Sequence, residues 1–387
     1  MIKKELPKDW SLVPITEIGK IETGTTPSKA ISEYYGTEYP FYKPSDLEAG
    51  INVHQSIDGL SKIGIDKARF IPEFTTLVTC IGATIGKTGY IKKGGGFNQQ
   101  INAIVPNEKS NPKFIYYQAI SLGFQKQIKS SASATTLPLL NKSKFQLLTM
   151  VTCSLETQQA IVCKIEELFG DIDKGIEDLK IAQQQLKTYR QSVLKWAFEG
   201  KLTNENVKEV ELPKGWGKLK IKDICEIKGG KNQSKVINPN GKYPIYGSSG
   251  IFGYANEYIC DENTTILGRK GNINNPLYVT TKFWNVDTAF GLCVNDKYDS
   301  KLLFYFCLGF NFKKLDKSTT IPSLAKSDIL SIDIQVPPLK EQYLIVQEIE
   351  NRLSVADKME ESINESLKQA EALRQSILKK AFSGELI

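Results

Sequence analysis

With 387 residues, 50 Lys and Arg against 43 Asp and Glu, and a net charge of +7, the chain is too long for one hydrophobic core and carries a basic surplus. It has no run of 18 apolar residues, and its opening MIKKELPKDW lacks an apolar leader-like stretch, so a membrane span or secretory signal is not expected. One histidine and seven cysteines without a Cys-x-x-Cys pair speak against a zinc site or disulfide framework; Cys80, Cys153, Cys163, Cys225, Cys260, Cys293 and Cys307 read as buried thiols of a reducing cytoplasm.

Residues 1–154 form the first segment, with 18 basic and 12 acidic side chains. Leu6-Pro7-Lys8-Asp9-Trp10 opens it, and a strand-like run follows from Ile18 to a turn at Gly24. Residues 76–80 and 101–105 read as strands and residues 114–122 as a helix. A polar patch, Ser133-Ala134-Thr135-Thr136-Leu137-Pro138, comes near the end.

Residues 155–203 change character. Apolar side chains recur at alternating steps of four and three: Ile161, Ile165, Leu168, Ile172, then Leu179, Ala182, Leu186, Tyr189, Val193 and Trp196. That 3.5-residue period, broken at Gly175, predicts a coiled-coil seam. Gly170 and Gly175 mark an expected kink or weak point, because glycine in a helix interior costs about 1 kcal/mol against alanine.

Residues 204–338 return to the first pattern, with 18 basic and 14 acidic side chains. Leu212-Pro213-Lys214-Gly215-Trp216 answers the first opening, Tyr243-Pro244-Ile245-Tyr246 answers Tyr39-Pro40-Phe41-Tyr42, and Lys317-Ser318-Thr319-Thr320-Ile321-Pro322 answers the polar patch. Residues 264–267 and 291–294 read as strands and residues 302–308 as a helix. Between these anchors the two copies differ in sequence and length, so a frame repeats while its loops do not.

Residues 339–387 repeat the first helix 184 positions later without a gap: Gln158, Ile161, Val162, Ile165 and Glu166 return as Gln342, Ile345, Val346, Ile349 and Glu350. Arg190-Gln191-Ser192 returns as Arg374-Gln375-Ser376. The second seam is expected at Ile345, Ile349, Ala356, Met359, Ile363, Ala370, Leu373 and Ile377. The two helical segments are net acidic, so the positive charge sits on the two globular segments and suits a polyanion held there. The fold class that follows is α+β: two α/β domains related by an internal repeat, with two long helices forming an antiparallel coiled coil. A pseudo-two-fold arrangement of the copies requires the last helix to run back to the first domain.

Three motif-like stretches fail. Gly82-Ala83-Thr84-Ile85-Gly86-Lys87-Thr88 is one residue short of a phosphate loop, and no helix opens after Lys87. Asn275-Pro276-Leu277-Tyr278 is similar to the Asn-Pro-Pro-Tyr loop of amino-methyltransferases, but the second proline is replaced and no glycine-rich cofactor turn precedes it. His54 has no Cys or His partners in sequence. No catalytic constellation, cofactor motif or metal cluster stands out, and the chain reads as a binder.

The two divergent globular segments, the repeated helices and the closing Arg-Gln-Ser-Ile/Val-Leu-Lys…Ala-Phe-x-Gly-x-Leu motif resemble the specificity subunit of type I restriction–modification systems over essentially the whole chain. The helix entry Pro337-Pro338-Leu339-Lys340-Glu341-Gln342 is full, and its counterpart Cys153-Ser154-Leu155-Glu156-Thr157-Gln158 is degraded. The resemblance implies residues 1–154 and 204–338 as target-recognition domains, each reading half of a split double-stranded DNA site. It implies residues 155–203 and 339–387 as conserved helices forming a spacer on which two methyltransferase subunits dock. A nuclease–translocase subunit joins the full complex, and catalysis and S-adenosylmethionine belong to the partners. The rival classes are a coiled-coil scaffold that binds only proteins, a stand-alone DNA enzyme, disfavoured by the failed motifs, and a recognition subunit working with a fused methylase–nuclease.

DNA positioning needs Lys, Arg, Ser and Thr at phosphates, and reading needs bidentate side chains at base edges. The glycine-framed polar loops supply the candidates. They are Lys43, Ser45, Lys87, Gln99, Gln100, Thr135 and Thr136 in the first domain. In the second they are Lys231, Asn232, Gln233, Ser234, Arg269, Lys270, Asn272, Thr319 and Thr320.

If the helices act as a spacer, one heptad added to each at matched points lengthens it by about 10 Å, roughly three base pairs. The duplex groove turns by roughly 100° over that distance while the coil hardly rotates. One added heptad is therefore expected to weaken specific binding sharply. Three heptads, about 31 Å, should restore it on a spacer roughly nine base pairs longer. Selection from a random-spacer DNA pool measures this; unchanged binding to the original spacer by the one-heptad variant would refute the ruler.

Overall fold

A computed structural model describes residues 6–133, 137–204 and 212–387. The chain divides into two compact units, residues 1–179 with 365–387, and residues 180–364. Each unit thus contains a globular part and one end of each long helix, Leu155–Phe198 and Leu339–Ala381.

In the first unit a four-stranded antiparallel sheet has the order Gly19–Thr23, Ile101–Pro106, Thr76–Thr79, Thr88–Tyr90. The helix Pro112–Ala119 packs beside it, started by Asn111, whose side chain accepts from Lys113 and Phe114 N–H, with proline at the first position. A second sheet has the order Asp58–Leu60, Tyr35–Tyr42, Gly95–Phe97, Phe70–Ile71. Ser11–Pro14 pairs with Thr149–Thr152 and brings the two ends of the globular part together.

The second unit repeats this plan. Its main sheet has the order Cys225–Gly229, Ala289–Val294, Thr264–Gly268, Leu277–Val279. Its second sheet is Gly250–Ala255, Tyr243–Gly247, Trp284–Asn285, and Gly217–Lys220 pairs with Asp333–Val336. Ser300–Gly309 is the matching helix, with Asp299 accepting from Leu302 N–H. The strands and helices expected from the sequence are all present, with ends displaced by a few residues.

The long helices complete both cores. In the first unit Ile161, Ile165 and Phe169 pack with Tyr117, Ile377, Leu378 and Ala381. In the second, Val193, Leu194 and Ala197 pack with Leu302, Phe306, Ile345, Val346 and Ile349. Within each unit the pairing is antiparallel: Arg374 binds Asp173 in the first, and Arg190 binds Asp357 at 2.5 Å and Glu360 at 2.9 Å in the second. A glycine with φ +76° follows the end of each helix, Gly200 after Phe198 and Gly384 after Ala381. There the opening proline of a copy packs so closely that a Cβ would meet it: Pro213 against Gly200 and Pro7 against Gly384. The last helix therefore closes on the first globular part, as the order of the copies requires.

Buried glutamines tie each helix start to its globular part. Gln158 Oε1 accepts from Asn111 N–H at 2.7 Å, and Nε2 donates to the Lys109 and Cys153 carbonyls at 3.1 and 2.9 Å. Gln342 does the same with Asp299 N–H at 2.7 Å and the Lys297 and Pro337 carbonyls at 3.0 and 2.8 Å.

The seam differs from the expected one at two positions. Ile161, Ile165, Val193, Ile345, Ile349 and Ile377 are buried, and Leu168, Ile172, Leu179, Leu186 and Ile363 are half-buried. Met359 and Leu373, however, are 53% and 51% exposed. The four–three register runs through Ala356, Glu360, Ile363, Ala370 and Arg374, so Met359 and Leu373 each fall one residue off it. Glu360 and Arg374 take those positions because each reaches an opposite charge on the other helix within its own unit, and Arg374 also lies 5.1 Å over the Phe169 ring. The expected kink or weak point does not interrupt the helix: Leu155–Phe198 runs as one helix through Gly170 and Gly175, with open space at both glycines. Cys80, Cys225, Cys260 and Cys307 are buried, but Cys153 and Cys293 are only half-buried, and Cys163 is exposed because it falls on the outer face of the helix.

Gln158→Ala would leave the half-buried Asn111 N–H and the Lys109 and Cys153 carbonyls without their partner. A loss of about 1–2 kcal/mol is expected, because water can reach these partly buried groups and each hydrogen bond is worth roughly 0.5–1.5 kcal/mol net. Urea unfolding of the chain measures this, and a loss below about 0.5 kcal/mol would show that the glutamine does not anchor the helix.

Candidate nucleic-acid interface

The two units share a backbone frame around their loops, visible bond by bond. Gly24 N–H donates to Ile101 at 3.1 Å, and Gly230 N–H to Ala289 at 3.2 Å. Asn98 donates to Tyr42 at 2.9 Å, and Val286 to Tyr246 at 3.0 Å. Gly82 donates to Pro138 at 2.9 Å, and Gly271 to Pro322 at 2.8 Å. Leu140 donates to Cys80 at 2.8 Å, and Leu324 to Arg269 at 2.9 Å. Cys80 donates to Gln100 at 2.7 Å, and Arg269 to Thr288 at 2.8 Å. Gly82 and Gly271 hold φ of +98° and +78°, which favours glycine at this turn in both copies.

The side chains on that frame differ. Cys80, Ile81 and Ala83 of the first unit correspond to Arg269, Lys270 and Asn272 of the second, and Gln100 corresponds to Thr288. The frame is thus a mount that places unlike chemistry at matched points.

In the first unit the candidates fall into two neighbouring groups. Lys43, Ser45 and Lys87 surround the turn Asp46–Asn52: Lys43 pairs with Asp58, Lys87 pairs with Glu48, and exposed Ser45 precedes the turn. Gln99 is exposed and accepts from the Thr26 hydroxyl, and Gln100 N–H is held by Asn98 Oδ1 at 2.8 Å. The Tyr42–Asn98 bond joins the groups, since Lys43 and Gln99 lie one residue beyond it on either side. Thr135 and Thr136 lie outside the described residues.

In the second unit Lys231 is exposed, with its N–H on the Asn285 carbonyl at 3.0 Å and its carbonyl receiving Trp284 Nε1 at 3.0 Å. Asn232 Oδ1 turns the chain by accepting from Ser234 N–H at 2.8 Å, which leaves exposed Ser234 and half-buried Gln233 on the same loop. Arg269 is exposed, donates to the Asp287 carbonyl at 3.3 Å and lies 5.8 Å over the Phe290 ring. Lys270 bridges to Ser323, and exposed Asn272 follows Gly271. Asp316 Oδ1 accepts from Ser318 and Ser323 N–H, both at 3.0 Å, and so folds the loop that carries exposed Thr319 and Thr320.

Sequence reading missed Thr26, Asp287, Thr288, Asp316 and the buried Asn285. Thr26 stood next to a recognised glycine turn and could have been found. The others depend on strand neighbours that sequence separation hides. The failed motifs behave as their flanks indicated. Gly82–Lys87 is a turn between strands Thr76–Thr79 and Thr88–Tyr90, with no helix after Lys87. Tyr278 is a structural link to Ser300 at 2.8 Å, and His54 is exposed.

The chain matches a family model, the type I restriction modification DNA specificity domain, twice, over residues 7–180 and 213–369. It is 25% identical to the EcoDI specificity subunit of Escherichia coli, over 99% of this chain and 90% of that protein. It is 26% identical to the MjaIX specificity subunit of Methanocaldococcus jannaschii, over 99% and 94%. Among solved structures, a chain described with the assembly and conformational transition of the type I R-M system shares the fold, with a TM-score of 0.80, 18% identity and 98% and 99% coverage. The HsdS subunit from Thermoanaerobacter tengcongensis gives a TM-score of 0.64 at 18% identity, covering 99% of each chain. With both copies of its repeat matched and nearly all of its length aligned to specificity subunits, the chain belongs to the type I restriction–modification DNA specificity family.

Proposed function

We propose that this chain is the DNA-recognition subunit of a type I restriction–modification complex, with each globular part reading one half of a bipartite duplex site. The observation that carries this reading is the matched backbone frame with unlike side chains at matched points. A protein that binds one repeated ligand would keep the side chains along with the frame. A reader of two different half-sites keeps the frame and changes the side chains.

In this reading the chain performs no catalysis. S-adenosylmethionine and methyl transfer belong to two methyltransferase subunits, and cleavage and translocation to a further subunit. The methyltransferases dock on the long helices. Outward apolar side chains support this, with Leu373 on the first unit and Ile181, Val355 and Met359 on the second. An open apolar cleft of about 620 Å³ on the first unit, lined by Ile172, Ile176, Leu179, Ala370 and Leu373, adds to it. The complex works in the cytoplasm, where its DNA is; no helix among the described residues is long and apolar enough to cross a membrane.

Exchange of residues 212–338 for the equivalent segment of another such subunit tests the reading. Mapping of methylated sites is expected to show one half of the target changed and the other retained. A change in both halves, or in neither, would refute independent readers. Binding of duplex DNA by the assembled complex should also fall steeply with salt, by about 0.9 units of log affinity per log unit of salt for each phosphate neutralised. Affinity independent of salt would refute the polyanion interface.

A further inference from the structure

One charged cluster lies beside the loops and outside the residues assigned so far. Glu22, on strand Gly19–Thr23, has a side chain only 15% exposed. Three cations close over it: Lys20 at 2.7 Å, Arg69 at 3.2 Å and Lys142 at 3.8 Å. Their side chains are 76%, 40% and 39% exposed, so the carboxylate is the floor and the cations are the solvent-facing roof. The Lys20 hydrogen bond, reinforced by the charges of Lys20, Arg69 and Lys142, holds the Glu22 carboxyl below its usual range against the opposing effect of burial. Three positive charges over one negative leave a local surplus of two.

The roof touches the recognition loops. Arg69 Nη1 donates to the Thr23 carbonyl at 2.8 Å, and Arg69 N–H donates to Thr25 Oγ1 at 2.8 Å. Thr26, the next residue, binds Gln99. Lys142 stands four residues after Pro138, whose carbonyl receives Gly82 N–H.

The second unit gathers cations beside the matching strand with other residues, and Glu226 stands where the first unit has Lys20. The matched glycines Gly24 and Gly230 align Glu22 with Lys228, and the matched prolines align Lys142 with Lys326. Lys228 and Lys282 approach Asp261 at 3.0 and 3.9 Å, and Lys326 donates to the Ile227 carbonyl at 2.7 Å. The loops of the two units differ, yet each unit gathers two or more cations around one carboxylate beside the matching edge strand, three on Glu22 and two on Asp261. A feature common to both readers suits what is common to every half-site, the sugar–phosphate backbone.

We propose that Lys20, Arg69 and Lys142 form a phosphate-binding cluster beside the first reading loops, with Glu22 as the positioning residue beneath them. Lys228 and Lys282, gathered on Asp261, form the corresponding pair in the second unit. This rests on the DNA-recognition reading above. The cluster fixes the backbone of the duplex against the edge strand and leaves base reading to the loops, so its loss changes affinity and salt response without changing the recognised sequence.

The test uses the complex assembled with its methyltransferase subunits, titrated by fluorescence anisotropy onto a cognate duplex across a salt series. Lys20→Gln with Lys142→Gln, both at solvent-facing positions, is expected to flatten the slope of log affinity against log salt by about two units. Methylation mapping should return the same half-sites. Arg69→Gln should flatten the slope by about one unit, and Arg69→Lys should keep the wild-type slope because it keeps the charge. A wild-type slope in the double lysine variant, with steep wild-type binding as reference, overturns the cluster and leaves DNA recognition standing. A flattened slope with an altered half-site also overturns it, because the lysines would then be base readers. Failure of the wild-type complex to bind duplex with any salt dependence would instead refute the DNA-recognition reading itself.

Discussion

Neither globular part of this protein finishes its own core. In the first unit the face made by Tyr90, Phe114 and Tyr117 is covered by Ile161, Ile165 and Phe169 from the start of one helix and by Ile377, Leu378 and Ala381 from the end of the other. In the second, Leu302, Leu303 and Phe306 meet Val193, Leu194 and Ala197, together with Ile345, Val346 and Ile349. Fully burying a side chain of this kind is worth roughly 1.5–3 kcal/mol, so uncovering either face would cost more than a typical domain's net stability. The helices are therefore part of each domain's core, and Gln158 and Gln342 fix where they enter it.

This dependence separates stability from recognition. The cores are made of sheet faces and helix ends, while the loops at Gly24, Gly82 and Asn98, and at Gly230, Gly271 and Val286, are held by backbone bonds. Backbone bonds do not ask for particular side chains. A loop held that way can replace Ile81 with Lys270, or Ala83 with Asn272, with little effect on the fold. Charge follows part of the same division: within each unit the helices pair ions with one another and with the globular part, while the cations gathered on Glu22 and Asp261 lie near the loops.

The sequence was most readable where period and repeat agree. The long helices, the four strands read from β-rich runs, the paired openings at Pro7 and Pro213 and the anchors at Pro138 and Pro322 all follow from spacing alone. It was least readable where a side chain's role is set by a distant neighbour. Apolar spacing placed Met359 and Leu373 on the seam, whereas Glu360 and Arg374 occupy it because their ion-pair partners, Arg190 and Asp173, are more than 160 residues away in sequence. Arg69 carried no motif, and its link to Glu22 and Thr25 arises only when the strand and loop are folded together. Candidates chosen as polar residues near glycines landed on the loops, but sequence could not separate Lys43 and Lys87, already paired with carboxylates, from exposed Gln99 or Lys270.

Equivalent loops of the repeated frame are expected to meet DNA together. Hydrogen–deuterium exchange of the assembled complex, with and without a cognate duplex, measures this directly. Slowed exchange on DNA binding is expected at residues 82–87 and 98–100 and, in the same experiment, at residues 269–273 and 286–289. Protection in the loops of one unit alone, or on the long helices with the loops unchanged, would contradict it.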